Sequence, residues 1–225
     1  MEKLNKGKWC LTIRLVHTNI IGVMEDERKK QTRQKLIKSG KAEFLDKGYM
    51  KASLRDICKA AGVTTGAFYC SFESKEDLLE AILEPILTDY SRMCMEMAKR
   101  EEEDPGTAED NERLLMEYIS DHRQEAIILM DKVQGSKYEG FRRQVDMQMQ
   151  EAFRSYFSKF MGQEPDAELI RILVAMRLQG YMELIKGDYT LEERIRLTRE
   201  IGIHADAGTK ALIEHLKKEM KVYRR

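Results

Sequence analysis

The sequence predicts an all-α protein, an N-terminal three-helix head followed by a larger helical body, about nine to ten helices in all. Three observations carry this. Only Pro85, Pro105 and Pro165 interrupt 225 residues, so long helices are expected. No stretch alternates apolar and polar residues as a half-buried strand would. Two S-x-x-D capping boxes, Ser53/Asp56 and Ser74/Asp77, bracket a short segment with Gly62 at its centre, which spells helix, turn, helix.

The elements follow in order. A first helix is expected over about 26–47, with Leu36, Ile37, Phe44 and Leu45 inward, a basic start at Arg28, Lys29, Lys30, Arg33 and Lys35, and Gly48 as its stop. Ser53 caps a second helix beginning at Leu54, on which Leu54, Ile57 and Ala61 form one apolar stripe. Gly62 suits the left-handed position after its last turn, and Val63 is expected to be buried. Thr64 caps a third helix to about Ser71. Ser74 opens the fourth, with Leu78, Leu79, Ile82 and Leu83 inward. Pro85 removes a backbone donor and is expected to kink or end this helix near Glu84, either as a terminator or as a hinge. Helical pattern resumes to about Arg100, and 101–111 reads as a loop around Pro105-Gly106.

The body reads as helices over about 112–122, 124–133, 139–161, 166–186 and 190–221, broken at Gly135-Ser136, Gly162 to Pro165 and Gly187-Asp188. The last two are apolar on more than one side, through Leu169, Ile172, Leu173, Met176 and Leu178, then Ile195, Leu197, Ile201, Ile203, Leu212 and Leu216. Such helices need cover on more than one face. A hairpin packing both within its own domain and against a twin satisfies that.

The head carries the chemistry. Thr64, Thr65, Gly66 and Ala67 are short, so the start of the third helix can approach phosphates and base edges closely, aided by the helix dipole. Tyr69 adds a phenol one turn on. Phe68 and Phe72 are expected to lock this helix onto the previous one. Ser53 and Lys75 flank it and are placed for the DNA backbone. This is a helix-turn-helix that lays a helix in the major groove. Charge agrees: the chain is neutral overall, yet residues 25–75 carry 12 Lys+Arg against 7 Asp+Glu and residues 76–225 carry 23 against 31. A basic head on an acidic body suits docking one end on a polyanion.

Other classes find little support. Cys10, Cys58, Cys70 and Cys94 form no C-x-x-C pair and have no His cluster beside them, so neither a metal nor a disulfide framework is expected. His122, His204 and His215 are scattered, no catalytic cluster is visible, and no enzyme activity or cofactor is expected. Residues 9–23 are too short and too broken for a membrane span or signal peptide, and the four cysteines read as reduced thiols of a cytoplasmic protein. Met24 opens a run that reads like a start, so residues 1–24 are taken as an extension, either an artefact of start-codon choice or a basic arm on DNA.

Phe44, Gly48-Tyr49, Ala52-Ser53, Ile57, Ala61-Gly62-Val63-Thr64, Gly66, Phe68-Tyr69, Phe72, Lys75 and Leu78-Leu79 together resemble the TetR family of bacterial transcriptional regulators. Ser71 stands where that family often has a His or similar ring, and Cys58 where Ala is usual. The resemblance implies a DNA-binding domain over 28–88, with its motif at 54–73, and a ligand-binding and dimerisation domain over 89–225. It implies a homodimer joined through the last two helices, a palindromic double-stranded operator, and a repressor released by a small-molecule effector. The DNA contacts expected are Ser53, Thr64, Thr65, Gly66, Tyr69 and Lys75. Met116, Met130, Tyr138, Phe141, Phe153 and Met176 are candidates for an adaptable apolar effector pocket. An effector-independent DNA-organising or protein-binding factor of the same fold is the alternative.

Overall fold

A computed structural model describes residues 6–104 and 108–223. Its elements there are α-helices: α1 (Lys6–Lys51), α2 (Leu54–Ala61), α3 (Thr65–Tyr69), α4 (Lys75–Glu103), α5 (Ala108–Asp121), α6 (Arg123–Asp131), α7 (Phe141–Met161), α8 (Ala167–Lys186) and α9 (Leu191–Tyr223). They fall into two compact units. The first comprises residues up to Lys47 together with Lys51–Ile82, and the second comprises Gly48–Met50 together with the chain from Leu83. The question of a start at Met24 bears on a stretch whose first five residues lie outside those described.

The first unit is the head. Leu36 and Phe44 of α1, Ile57 of α2, Phe68 of α3, Phe72 after it, and Leu78 and Leu79 of α4 are all essentially inaccessible to solvent. Burying each aliphatic or aromatic side chain is worth about 1.5–3 kcal/mol. Gly40 on α1 makes this packing possible. A Cβ there would lie 2.7 Å from Leu78 Cδ2, closer than non-bonded carbons tolerate. Gly40→Ala is therefore expected to lower stability by about 1–3 kcal/mol through overpacking. Urea unfolding monitored by circular dichroism checks this, and an unchanged midpoint would remove Gly40 from the packing argument.

Several boundaries differ from expectation. α1 carries non-helical φ/ψ at Gly48 (φ 75°, ψ 160°), as expected, but helix resumes to Lys51. Pro85 does not end α4, which runs through it. Leu83 and Ile86 on either side are buried. Their combined burial of about 3–6 kcal/mol outweighs the roughly 3 kcal/mol of a proline inside a helix. The loop expected over 101–111 is shorter, because Glu101–Glu103 continue α4 and α5 begins at Ala108. Asn111 is buried there, and its side-chain amide donates to the Met97 carbonyl at 3.2 Å. The Pro105-Gly106 pair lies outside the described residues. Val63 is half-buried and α3 is shorter than expected, ending at Tyr69.

The second unit has its core where α7, α8 and α9 meet: Phe157, Ile170, Val174 and Ile213 are buried, with Phe153, Leu173, Leu212 and Leu216 packed on them. Two arginines close the C-terminus of α8. Arg194, buried on α9, donates to the carbonyls of Leu184 and Gly187 and to Ser120 Oγ. Arg123 on α6 donates to the carbonyls of Ile185, Lys186 and Gly187. A helix C-terminus leaves its last carbonyls unpaired and carries partial negative charge, so cations satisfy both needs. Burial, then the neighbouring Arg123, pushes the Arg194 pKa down, with Asp188 opposing. Asp131, at the end of α6, ties α7 and α8 together by accepting from both Arg142 and Lys186. Also within this unit, the Tyr49 N–H donates to the Lys132 carbonyl at 2.7 Å.

Candidate nucleic-acid interface

The interface is built from α2, α3 and the turn between them. Ser53 caps α2, its hydroxyl accepting from the Asp56 N–H at 3.3 Å. The reciprocal half of the expected capping box comes from elsewhere: the Ser53 N–H donates to Glu43 on α1 at 3.2 Å, while Asp56 pairs with Lys47. Lys47 bridges Glu43 and Asp56, and hydrogen bonds to the two carboxylates raise its pKa. The start of α2 is thus anchored to α1 by a charged network.

The turn is closed by Gly62 in the left-handed region (φ 67°, ψ 32°), with its N–H donating to the Lys59 carbonyl and that of Val63 to the Cys58 carbonyl. A side chain at Gly62 would meet no steric neighbour. Glycine is needed there for backbone angle alone. Thr64 then caps α3, accepting from the Ala67 N–H at 3.1 Å. Cys58 is buried behind this turn, and burial pushes its thiol pKa up, whereas Cys70 at the end of α3 is exposed.

α3 divides into two faces. Phe68 is fully buried and packs against Phe72, ring centroids 5.7 Å apart. Thr64, Thr65, Gly66 and Tyr69 are on the exposed side. Tyr69 is 58% exposed, yet its ring is set edge-on to Phe68 at 5.4 Å, so the phenol is presented in a defined direction. Gly66 has no internal reason to be glycine. Its φ is not in the left-handed region, and a Cβ would meet only Thr64 Oγ1, at an ordinary 3.7 Å.

Of the two flanking residues expected on the DNA backbone, Ser53 uses its oxygen as a cap acceptor and keeps a hydroxyl donor. The half-buried Lys75 donates to the Ala52 carbonyl at 3.1 Å, which ties α4 to the residue before the α2 cap, and burial lowers its pKa. Ser71, at the family's usual ring position, turns its hydroxyl back to the Ala67 carbonyl at 3.4 Å.

The structure also brings forward residues that the sequence reading passed over. A shallow groove beside α3 is lined by Arg55, Asp56, Cys58, Lys59, Val63, Thr64 and Thr65. Arg55 and Lys59 are exposed on the side of α2 opposite Ile57. Their i, i+4 spacing was visible in the sequence as the complement of the apolar stripe. The first helix of a helix-turn-helix crosses the DNA backbone, which is where two such cations are useful.

The six pocket candidates are spread from α5 to α8. Met116 is buried in α5, while Met130 and Phe141 are half-buried on α6 and α7. The Tyr138 hydroxyl donates to Glu84 on α4. Phe153 belongs to the core of α7, α8 and α9, with Arg177 stacked 5.4 Å from its centroid. Met176 is 68% exposed on α8. No group of three or more His, Cys, Asp or Glu among the described residues could hold a metal, and no helix there is long and apolar enough to cross a membrane.

Comparison with known proteins bears on the head. The HTH-type transcriptional regulator TtgR of Pseudomonas putida is 30% identical over 79 residues, 35% of this chain and 38% of that protein. The probable acrEF/envCD operon repressor of Escherichia coli is 48% identical over 48 residues, 21% of this chain and 22% of that protein. The chain thus spans less than half the length of either relative. A solved regulator of the TerR/AcrR family from Aquifex aeolicus VF5 has 21% identity and a TM-score of 0.49, covering 76% of this chain and 98% of that one. Residues 36–82, from the buried Leu36 of α1 to Ile82 of α4, match the family described as bacterial regulatory proteins, tetR family, so this segment of the chain is similar to that family.

Proposed function

We propose that the protein is a sequence-specific, DNA-binding transcriptional regulator of the cytoplasm, a homodimeric repressor that leaves a palindromic double-stranded operator when a small molecule binds its second unit. The observation that carries the reading is the two-sidedness of α3. Its inner side is locked by Phe68, while Thr64, Thr65, Gly66 and Tyr69 form an exposed surface of small and hydrogen-bonding groups. Thr65, Gly66 and Tyr69 enter the groove, with Thr64, Ser53, Lys75, Arg55 and Lys59 along the backbone. Replacing Lys59 by Ala is expected to weaken binding to every duplex alike. It should also reduce the slope of log affinity against log salt by about 0.9, the value for one phosphate contact. Affinity titrations at four salt concentrations measure both, and a loss confined to one sequence would instead make Lys59 a base reader.

The dimer is proposed through α8 and α9. Ile172 and Met176 stand one turn apart on the outward face of α8, 47% and 68% exposed. Gly180 on α8 and Gly208 on α9 have no heavy atom within 4 Å of an added Cβ, so nothing in the protomer demands glycine there. A twin helix approaching closely does. The effector acts by binding the DNA-incompetent arrangement more tightly, and Met116, Met130, Tyr138 and Phe141 are the residues we assign to its contact.

Selection of bound duplexes from a random pool by the purified protein tests the reading. Enrichment of an inverted repeat with half-sites near one helical turn apart supports it. A pool that binds weakly, without a motif and with steep salt sensitivity, overturns it.

A further inference from the structure

Five residues make a helix too short to hold its own direction, because nucleation consumes most of the hydrogen bonds it can form. α3 spans only Thr65–Tyr69, so its orientation must be imposed from outside. Thr64 fixes its beginning and Phe68 its inner side. Its far end is followed by Ser71 and Phe72, whose N–H groups turn back to the Phe68 carbonyl. There α1 supplies a clamp. Arg33 donates from Nη1 to the Ser71 carbonyl at 2.9 Å, and its guanidinium carbon lies 4.2 Å from the centroid of the Phe72 ring. From that ring a continuous chain of aromatic contacts leads outward: Phe72 to Phe68 at 5.7 Å, then Phe68 edge-on to Tyr69 at 5.4 Å.

We propose that Arg33 is a positioning residue for sequence reading, which sets the direction of Tyr69 and the end of α3 through Ser71 and Phe72. The inference rests on the DNA-binding reading above. A planar guanidinium can stack on a ring and direct an N–H to a carbonyl at once, whereas an ammonium has no plane to stack. Arg33 is itself exposed, 38 residues before its carbonyl partner, and lies over one face of the buried Phe72 ring. Its contribution is geometry. A reading helix displaced by a fraction of an ångström loses directed contacts to base edges while keeping its non-directional attraction to phosphates.

The test uses the full chain, the duplex enriched by selection and a random-sequence duplex of equal length. Affinities for both are measured against salt for the wild type, Arg33→Lys and Arg33→Ala, each with and without Tyr69→Phe, alongside thermal unfolding. We expect Arg33→Lys to lower the ratio of specific to random affinity about tenfold, a loss the size of one base readout. Its random-duplex affinity and salt slope should stay at the wild-type values. We also expect Tyr69→Phe to cost less in the Arg33→Lys background than in the wild type, since coupled residues are non-additive. Two results would overturn the proposal. If Lys restores the ratio, while Ala weakens both duplexes equally and flattens the slope by about 0.9, Arg33 is only a phosphate contact. If the variants melt at lower temperature with the ratio unchanged, Arg33 is only a strut. A wild type that does not discriminate between the duplexes fails at the earlier step, the DNA-reading assignment itself.

Discussion

Gly66→Ala is expected to make the protein more stable and a worse DNA binder. The two signs come from separate observations. On the protein side, φ at Gly66 is compatible with any residue and an added Cβ has only an ordinary contact with Thr64 Oγ1. Removing glycine's freedom in the unfolded chain then stabilises by about 0.4–1 kcal/mol. On the DNA side, the methyl group enters the gap between the start of α3 and the groove. The cost is comparable to one lost base readout, about 1–3 kcal/mol, or roughly tenfold to a hundredfold in specific affinity. Thermal unfolding and titration of the selected operator measure the two effects independently. If the Gly66→Ala variant binds the operator as tightly as the wild type, this part of α3 does not approach DNA, and the glycine has no account in either state. Gly40→Ala is the internal control, since there the added methyl collides with Leu78 and stability must fall.

The second large effect concerns assembly. Changing Ile172 and Met176 together to Glu is expected to leave the protomer folded, because both side chains are already largely exposed and such substitutions usually cost within about 0.5 kcal/mol. Placed opposite their own symmetry mates, however, the new carboxylates meet like charge across a two-fold axis. The variant should sediment as a monomer. Operator affinity should fall on the order of 10²–10⁴-fold, the advantage that linking two half-site contacts provides. Affinity for a single half-site should be unchanged. A variant that remains dimeric at the same concentration would move the interface away from α8.

Much of this was legible in the chain. The capping residues Ser53, Thr64 and Ser74, the turn at Gly62 and the apolar spacing of Leu54, Ile57 and Ala61 are local signals. Each depends on backbone groups within four residues, so the pattern of the chain is enough to read them. The inward and outward sides of α3 follow from the same periodicity. So does the exposed apolar face of α8, because Ile172 and Met176 differ by one helical turn.

What escaped the reading involves partners far apart in sequence. Asp56 looked like the reciprocal cap of Ser53, but Glu43, ten residues earlier, takes that N–H, because α1 lies against the start of α2. Lys75 is expected beside the DNA backbone, and its tie to the Ala52 carbonyl, 23 residues away, was not visible in the chain. Pro85 looked like a stop or a kink, a terminator or a hinge, and α4 runs through it with Leu83 and Ile86 buried on either side. The roles of Arg123 and Arg194 were not visible in the chain, because the carbonyl end of α8, some 62 residues after Arg123, is brought to their side chains only by folding.

By itself the sequence determined that the chain is helical, where the head turns and which side of its short third helix stays exposed, since these are matters of periodicity and caps. Only the tertiary structure decided which charged groups are committed to the protein's own backbone and which face outward, because that depends on carbonyls and rings brought beside them by folding, which no local pattern encodes.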